Sequence, residues 1–184
     1  MTHADRPVLR LKPKANLRAI RRGAPWVFDN ELVLDRRSKA LAPGSIATLE
    51  DGARAPVATV AVNPGSKIVA RVLDRDPAAV IDADWLEARL TKAHALRDRL
   101  YAAPFYRLVH AEGDGLPGLV IDRFGDTAVI QPNAAWAEAH LDLLVAALRR
   151  VTGVTHVLKN ASSRGRALEG LDDTDAVLCG DAPS

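Results

Sequence analysis

Short segments with an alternating apolar and polar pattern dominate the first 75 residues. Such alternation, bounded by turn signals at Asp51-Gly52 and Asn63-Pro64-Gly65, is typical of half-buried strands. It predicts four strands, at residues 8–11, 44–50, 56–62 and 68–73. Several short strands joined by regular turns favour a small β-barrel. Residues 14–22 instead show helical spacing and predict a short basic helix that ends at Gly23.

The pattern changes after residue 76. Leucines at helical spacing predict a helix over 85–102, with Asp84 and Glu87 as a capping box. A second helix is predicted over 134–150, capped by Asn133, and strands are predicted at 106–111, 119–122, 127–131, 154–158 and 176–179. We therefore predict an α+β chain with two parts: a barrel in residues 1–76 and a mixed α/β domain in residues 77–184, which a linker at 77–83 opens.

Composition narrows the class of protein. Apolar residues make up 48% of the chain, which is enough to bury a core, but no apolar run approaches the roughly 20 residues of a membrane-spanning helix. The N-terminus has no apolar run behind a basic start, so we expect no secretory signal. The single cysteine, Cys179, excludes a disulfide within the chain and fits the reducing cytoplasm. The histidines lack zinc-binding spacing, so we expect no metal.

Charge is distributed unevenly along the chain. Residues 1–22 hold seven lysines and arginines against one acidic residue, whereas residues 169–184 are acidic with no lysine or arginine. Arg18, Arg21 and Arg22 share one face of the predicted helix, and arginine can bind phosphate through two hydrogen bonds. The predicted RNA-binding residues are Lys12, Lys14, Arg18, Arg21, Arg22, Lys67 and Arg71. A solvated charged surface explains the same pattern about equally well.

Two aromatic residues lie beside this basic segment. Trp26 and Phe28 have the ring systems on which RNA bases stack. Because Pro25 and Val27 flank them, we predict that both rings belong to the hydrophobic core.

A glycine-rich segment at 113–118 matches the pattern G-x-G-x-x-G. A dinucleotide-binding loop must open a helix, but here a strand is predicted to follow, and Pro117 removes one amide donor. We therefore predict a turn between two strands. Glu112 and Asp114 flank the turn without a visible nucleophile, so we predict that, together with Arg123, they organise a loop against another domain and are not catalytic.

Three segments carry a family resemblance. They are Arg22-Gly-Ala-Pro-Trp-Val-Phe28, Ser66-Lys-Ile-Val-Ala-Arg71 and Tyr106-Arg-Leu-Val-His-Ala-Glu-Gly-Asp-Gly-Leu-Pro-Gly-Leu-Val-Ile-Asp-Arg-Phe-Gly125. In this order and spacing they resemble the class I S-adenosylmethionine-dependent ribosomal RNA methyltransferases that begin with a PUA domain. The resemblance extends from about residue 8 to 180.

The resemblance implies a PUA barrel followed by a central α/β domain and a Rossmann-like methyltransferase domain that modifies cytosine C5 of large-subunit ribosomal RNA. This chain corresponds to the first module and most of the second, so we expect the catalytic domain and its S-adenosylmethionine site to be missing. The family's catalytic cysteine follows proline, whereas Cys179 follows Leu178, and we do not assign that role to it. The expected partners are structured ribosomal RNA and a catalytic domain or homologous chain.

The sequence leaves three hypotheses open. The chain is the RNA-docking part of such a methyltransferase, or a free-standing RNA-binding adaptor that meets a protein through its acidic end, or a non-functional remnant. Whether it counts as an enzyme depends on which of these holds.

Overall fold

The computed structural model describes residues 6–181. The N-terminal residues on which the absence of a secretory signal rests lie largely outside this range. The chain divides into two compact units, the first ending at Val80 and the second beginning at Ile81. Within residues 6–181, no helix is both long and apolar enough to cross a membrane.

The first unit is built on a six-stranded sheet. Its strands and helices are β1 (Val8–Leu11), α1 (Leu17–Arg21), β2 (Trp26–Val27), β3 (Leu32–Val33), α2 (Arg36–Lys39), β4 (Ser45–Glu50), β5 (Pro56–Val62) and β6 (Ala70–Asp74). The strand order is β2-β6-β5-β4-β1-β3, which gives a nearly closed, barrel-like sheet. Its core is apolar and includes Leu9, Leu11, Val27, Leu49 and Val60. The predicted barrel is thus confirmed as a nearly closed, barrel-like sheet, although the two-residue strands β2 and β3 are too short to show an alternation.

The basic helix is shorter than the sequence predicts. It begins at Leu17 because Asn16 accepts a hydrogen bond from the amide of Ala19, at 3.0 Å, and so caps the helix there. Lys14 therefore precedes the helix, in a turn closed by the amide of Ala15 donating to the carbonyl of Lys12. Ile20 is buried and Leu17 is half-buried, so this face of the helix packs inward, and Gly23 follows with a φ of +107°.

The second unit combines a five-stranded sheet with four helices. In chain order these are α3 (Ala83–Leu100), β7 (Phe105–His110), β8 (Leu119–Phe124), β9 (Thr127–Pro132), α4 (Ala135–Ala139), α5 (Leu141–Thr152), β10 (His156–Lys159), α6 (Arg164–Leu168) and β11 (Ala176–Cys179). The sheet order is β11-β10-β9-β8-β7. Within residues 81–181, β9 and β10 are the only neighbours in this sheet that pair in parallel, and α4 and α5 form the crossover that a parallel pair requires. Helix α3 packs on α5 and on β7.

Two predicted caps in this unit are wrong. Helix α3 is capped by Asp82, which accepts from the amide of Trp85 at 3.0 Å, and not by Asp84. The predicted helix over 134–150 is two helices that join at His140, and Ala134 precedes the first without a side-chain cap. The indole of the fully buried Trp136 fixes α4 separately, because its Nε1 donates to the carbonyl of Pro117 at 2.8 Å.

The acidic C-terminal segment is engaged inside the second unit within the described residues. Glu169 is buried, Asp172 lies 3.7 Å from the Lys159 ammonium, and Asp175 accepts from the amide of Ala161 at 2.7 Å. The pKa of Asp172 is lowered, chiefly by the amide of Thr174 and also by the charges of Lys159 and Arg166. Asp172, Asp173, Asp175 and Asp181 nevertheless stay exposed, so a protein contact through this segment stays a prediction. Cys179 is half-buried.

Candidate nucleic-acid interface

The basic end of the chain separates into structural and exposed cations. Arg6 is buried and donates to Thr59 Oγ1 at 3.4 Å, and Arg10 lies 3.6 Å from Glu50. Both therefore serve the barrel. Between residues 12 and 22, by contrast, five basic residues occur without an acidic one, and all five are exposed: Lys12, Lys14, Arg18, Arg21 and Arg22. This basic segment is the first component of the candidate interface.

The backbone brings the other two predicted cations close to the residues that follow the basic segment. The carbonyl of Lys67 accepts from the amide of Asp29 at 3.2 Å, and Arg71 lies opposite Trp26 in the β2–β6 ladder. Lys12 reaches the same stretch, because its ammonium donates to the carbonyl of Asn30 at 3.0 Å. The segment Trp26–Glu31 is thus bordered by basic residues from two separate parts of the sequence, Lys12 in the basic segment and the stretch 67–71.

The aromatic residues of this segment do not lie in the core. Trp26 and Phe28 are each 41% exposed, whereas Val27 between them is fully buried. The core assignment was wrong because a single extended stretch alternates its faces: one inward residue suffices to anchor it, and both neighbours point outward. No local signal in the sequence shows this orientation, because three consecutive apolar residues do not indicate which of them faces inward.

Two carboxylates also lie in the segment, and both are engaged with the backbone. Glu31 accepts from the amide of Phe28 at 3.0 Å, and Asp29 accepts from the amide of Asn30 at 2.7 Å. They fix the local turn and offset part of the positive charge. Helix α2 adds basic residues that were not among the predicted RNA-binding residues. One of them, Lys39, lines the same open depression as Lys12 and Asn30.

Helix α2 is held by the residue that precedes it. Asp35 accepts from the amide of Ser38 at 2.8 Å, and the Ser38 hydroxyl accepts from the amide of Asp35 at 2.8 Å. The hydrogen bond from the Ser38 amide is the main reason that the pKa of Asp35 is lowered. The cap keeps Arg36, Arg37 and Lys39 in one exposed helical turn.

The glycine-rich segment of the second unit does not fit a nucleotide cofactor. A short 3₁₀ turn at Ala111–Asp114 follows β7, and the chain then enters strand β8 without opening a helix. The positive φ of Gly118, +73°, lets the backbone lie against Ala134, where a Cβ would come within 2.6 Å of the alanine methyl. The turn is therefore filled by protein, and the prediction of a turn between two strands is confirmed. We therefore assign the glycine-rich turn no role in binding S-adenosylmethionine.

The three residues predicted for an interdomain loop lie within the second unit. The Asp114 carboxylate forms two hydrogen bonds of 2.7 Å with the Arg97 guanidinium and accepts from the amide of His110 at 2.6 Å. Arg123 donates to the carbonyls of Gly125 and Thr152, and its Nη1 lies 2.8 Å from His94 Nε2. Glu112 lies in the same turn as Asp114. A role toward another domain stays a prediction for all three.

The part of the chain that the structure describes contains no set of ligands for a metal ion. Residues 6–181 contain no group of three or more histidine, cysteine or carboxylate side chains arranged to hold an ion.

Comparison with known proteins adds the family context. Residues 9–75 match the PUA-like domain family. The chain is 35% identical over 173 residues to the ribosomal RNA large subunit methyltransferase I of Erwinia tasmaniensis, and 36% identical over 173 residues to that of Aliivibrio fischeri. Each match covers 92% of this chain and 43% of the relative, so the chain spans less than half the length of these curated relatives.

A solved structure supports the same fold. The chain superposes on a protein described as a SAM-dependent methyltransferase from Streptococcus mutans with a TM-score of 0.77, at 16% identity, covering 97% of this chain and 44% of that one. The N-terminal part of the chain is therefore a PUA-like domain, and the chain as a whole is homologous to part of the large-subunit ribosomal RNA methyltransferase I proteins.

Proposed function

We propose that this chain docks structured large-subunit ribosomal RNA for S-adenosylmethionine-dependent methylation at cytosine C5. The observation that carries the proposal is the position of the basic segment, which lies with Lys67 and Arg71 inside the PUA-like domain at residues 9–75. The similarity to ribosomal RNA large subunit methyltransferase I supplies the substrate class. The cytosine target rests on the family resemblance of the three sequence segments.

The physical basis of docking is phosphate binding. Exposed arginines and lysines neutralise backbone phosphates and release counterions, so they supply affinity and orientation with little recognition of sequence. Arg18 and Arg21 lie in α1 and Arg22 is its C-terminal cap, where the amide of Arg22 still donates to the carbonyl of Arg18. The three guanidinium groups can therefore contact neighbouring phosphates together.

We assign no methyl-transfer step to the described residues. The glycine-rich turn is closed by Gly118 and Ala134, and Cys179 ends an edge strand and follows Leu178, not proline. In this proposal the chemistry belongs to a catalytic domain or homologous chain that receives the docked RNA. The proposed location is the cytoplasm, where ribosomal RNA is processed.

The docking proposal is tested by fluorescence anisotropy with a labelled ribosomal RNA hairpin over a series of salt concentrations. The triple variant Arg18→Ala, Arg21→Ala, Arg22→Ala should bind at least about tenfold more weakly, and its salt slope should fall by about 0.7–0.9 for each phosphate that is no longer neutralised. The matched control removes three exposed arginines of the second unit, Arg99, Arg149 and Arg164, and so has the same net charge. An equal weakening of binding in both variants would show a nonspecific charge effect and contradict the proposal.

A methyl-transfer assay tests whether this chain docks RNA without itself catalysing methylation. The purified 184-residue chain, incubated with ribosomal RNA and labelled S-adenosylmethionine, should transfer no methyl group to the RNA. Methyl transfer that increases in proportion to the concentration of this chain would contradict a role in docking alone.

A further inference from the structure

Trp26 and Phe28 present two aromatic rings on one side of an extended segment. Each ring is 41% exposed, and Val27, which points the opposite way, is fully buried. Phe28 keeps an extended backbone, with φ −89° and ψ 162°, so the alternation continues through it. At about 3.3 Å per residue, the two side chains leave the backbone roughly 7 Å apart on the same face.

The backbone of this segment is held in place on both sides. Pairing of β2 with β6 joins Trp26 to Arg71 and Val27 to Ala70. The amide of Phe28 donates to Glu31, and the amide of Asp29 donates to the carbonyl of Lys67. The backbone that carries the rings is therefore fixed and does not have to be ordered when a ligand binds, which lowers the entropic cost of stacking.

Basic residues lie beside the segment that carries these rings. Arg71 lies directly opposite Trp26 in the ladder, the carbonyl of Lys67 accepts from the residue after Phe28, and Lys12 reaches the carbonyl of Asn30. Aromatic rings within a cationic surface match the chemistry of unpaired nucleotides, whose bases stack while their phosphates are neutralised. A docking surface for an apolar protein segment would instead require a continuous apolar patch, but Asp29 and Asn30 interrupt this one and are exposed.

We infer that Trp26 and Phe28 form a base-stacking site, so that the PUA-like domain binds unpaired nucleotides in a loop or bulge of its RNA. This inference rests on the proposed function and deepens it, because it names the RNA element that the basic surface receives. A duplex keeps its bases stacked on one another and offers this site only phosphates.

The test compares an unpaired pyrimidine oligonucleotide with a duplex that has the same number of phosphates. Trp26→Ala should weaken binding of the unpaired strand by about tenfold, and Phe28→Ala by a similar factor, while binding of the duplex changes less than about twofold. Trp26→Phe should restore most of the affinity, because it restores a stacking ring. The matched control is Phe105→Ala, which removes an aromatic ring that is 65% exposed in the second unit.

The outcomes separate the inference from the proposal on which it rests. Weaker binding of the unpaired strand by Trp26→Ala, with an unchanged salt slope and an unchanged Tm, supports stacking. If Trp26→Ala and Phe28→Ala bind both RNAs like the parent chain, while the triple arginine variant binds weakly, stacking is overturned and RNA docking stands. If the parent chain binds neither RNA, both the inference and the proposed function fail. An equal weakening for the two RNAs would also overturn stacking.

Discussion

Gly118 permits a close approach between the glycine-rich turn and the residue before α4. Its φ of +73° is disfavoured for any residue with a side chain, and an added Cβ would lie 2.6 Å from the Cβ of Ala134. We expect Gly118→Ala to lower the free energy of unfolding by roughly 2–4 kcal/mol, combining backbone strain with overpacking.

Gly113 provides the control for this substitution in the same turn. It is exposed, it has no positive φ, and nothing lies within 4 Å of where its Cβ would be. Gly113→Ala should therefore change the free energy of unfolding by less than about 1 kcal/mol. Denaturant unfolding of both variants measures the difference, and equal effects would show that the contact with Ala134 is unimportant.

Arg166 is the centre of a buried ionic cluster, with only 1% of its surface exposed. Its Nη1 donates to Glu138 at 2.8 Å and to the carbonyl of Pro132 at 2.6 Å, and its Nε donates to the carbonyl of Asp172 at 2.8 Å. Arg166→Met would remove the donor to each of these acceptors, so we expect the free energy of unfolding to fall by about 3–5 kcal/mol.

Arg164, two residues earlier and exposed, is the matched control for that experiment. Arg164→Met should stay within about 0.5 kcal/mol of the parent chain. Chemical denaturation measures both variants, and a stable Arg166→Met protein would mean that Lys159, which already donates to Glu138 at 3.0 Å, suffices to hold this carboxylate.

At the scale of elements, α2 depends on the ionised carboxylate of Asp35. Because the folded pKa of Asp35 is lowered, its stabilising effect is fully present above its ordinary pKa of 3.8 and is lost as the pH falls through the folded value. Asp35→Asn keeps a capping side chain but does not titrate. We expect the difference in Tm between the parent and Asp35→Asn to shrink as the pH is lowered below about 4.

Asp35→Ala is the companion variant, since it removes both the cap and the charge. It should be less stable than Asp35→Asn at neutral pH, which thermal unfolding followed by circular dichroism will measure. A difference between the parent and Asp35→Asn that is independent of pH would show that the ionised carboxylate adds nothing to the cap.

Elements with a strong local pattern could be predicted from the sequence. The structure confirms β1, β5 and β11 with the predicted bounds, and α3 is shifted by about two residues from its prediction. Their period and turn residues are properties of neighbouring positions, which a sequence displays directly. Strands β2 and β3 and helices α2 and α6 were not predicted, because two to five residues are too few to establish a period.

For the whole molecule, the candidate interface involves residues of the first unit only, from Lys12 to Arg71. A change that weakens the second unit should therefore leave RNA binding intact. We expect Gly118→Ala to bind the ribosomal RNA hairpin with the Kd of the parent chain at temperatures below its Tm, as measured by anisotropy. A weaker Kd at such temperatures would show that the second unit contributes to the RNA surface.

Local patterns were enough to establish the α+β organisation, the segment of five cations at 12–22 and the interpretation of the glycine-rich segment as a turn between strands. These depend on period, composition and the residues that follow a motif. The outward position of Trp26 and Phe28, the internal partners of the C-terminal carboxylates and the burial of Arg166 became visible only in the folded chain. Each of these depends on contacts between positions that are distant in the chain, such as Arg166 with Pro132 and Trp26 with Arg71, and no local pattern encodes such contacts.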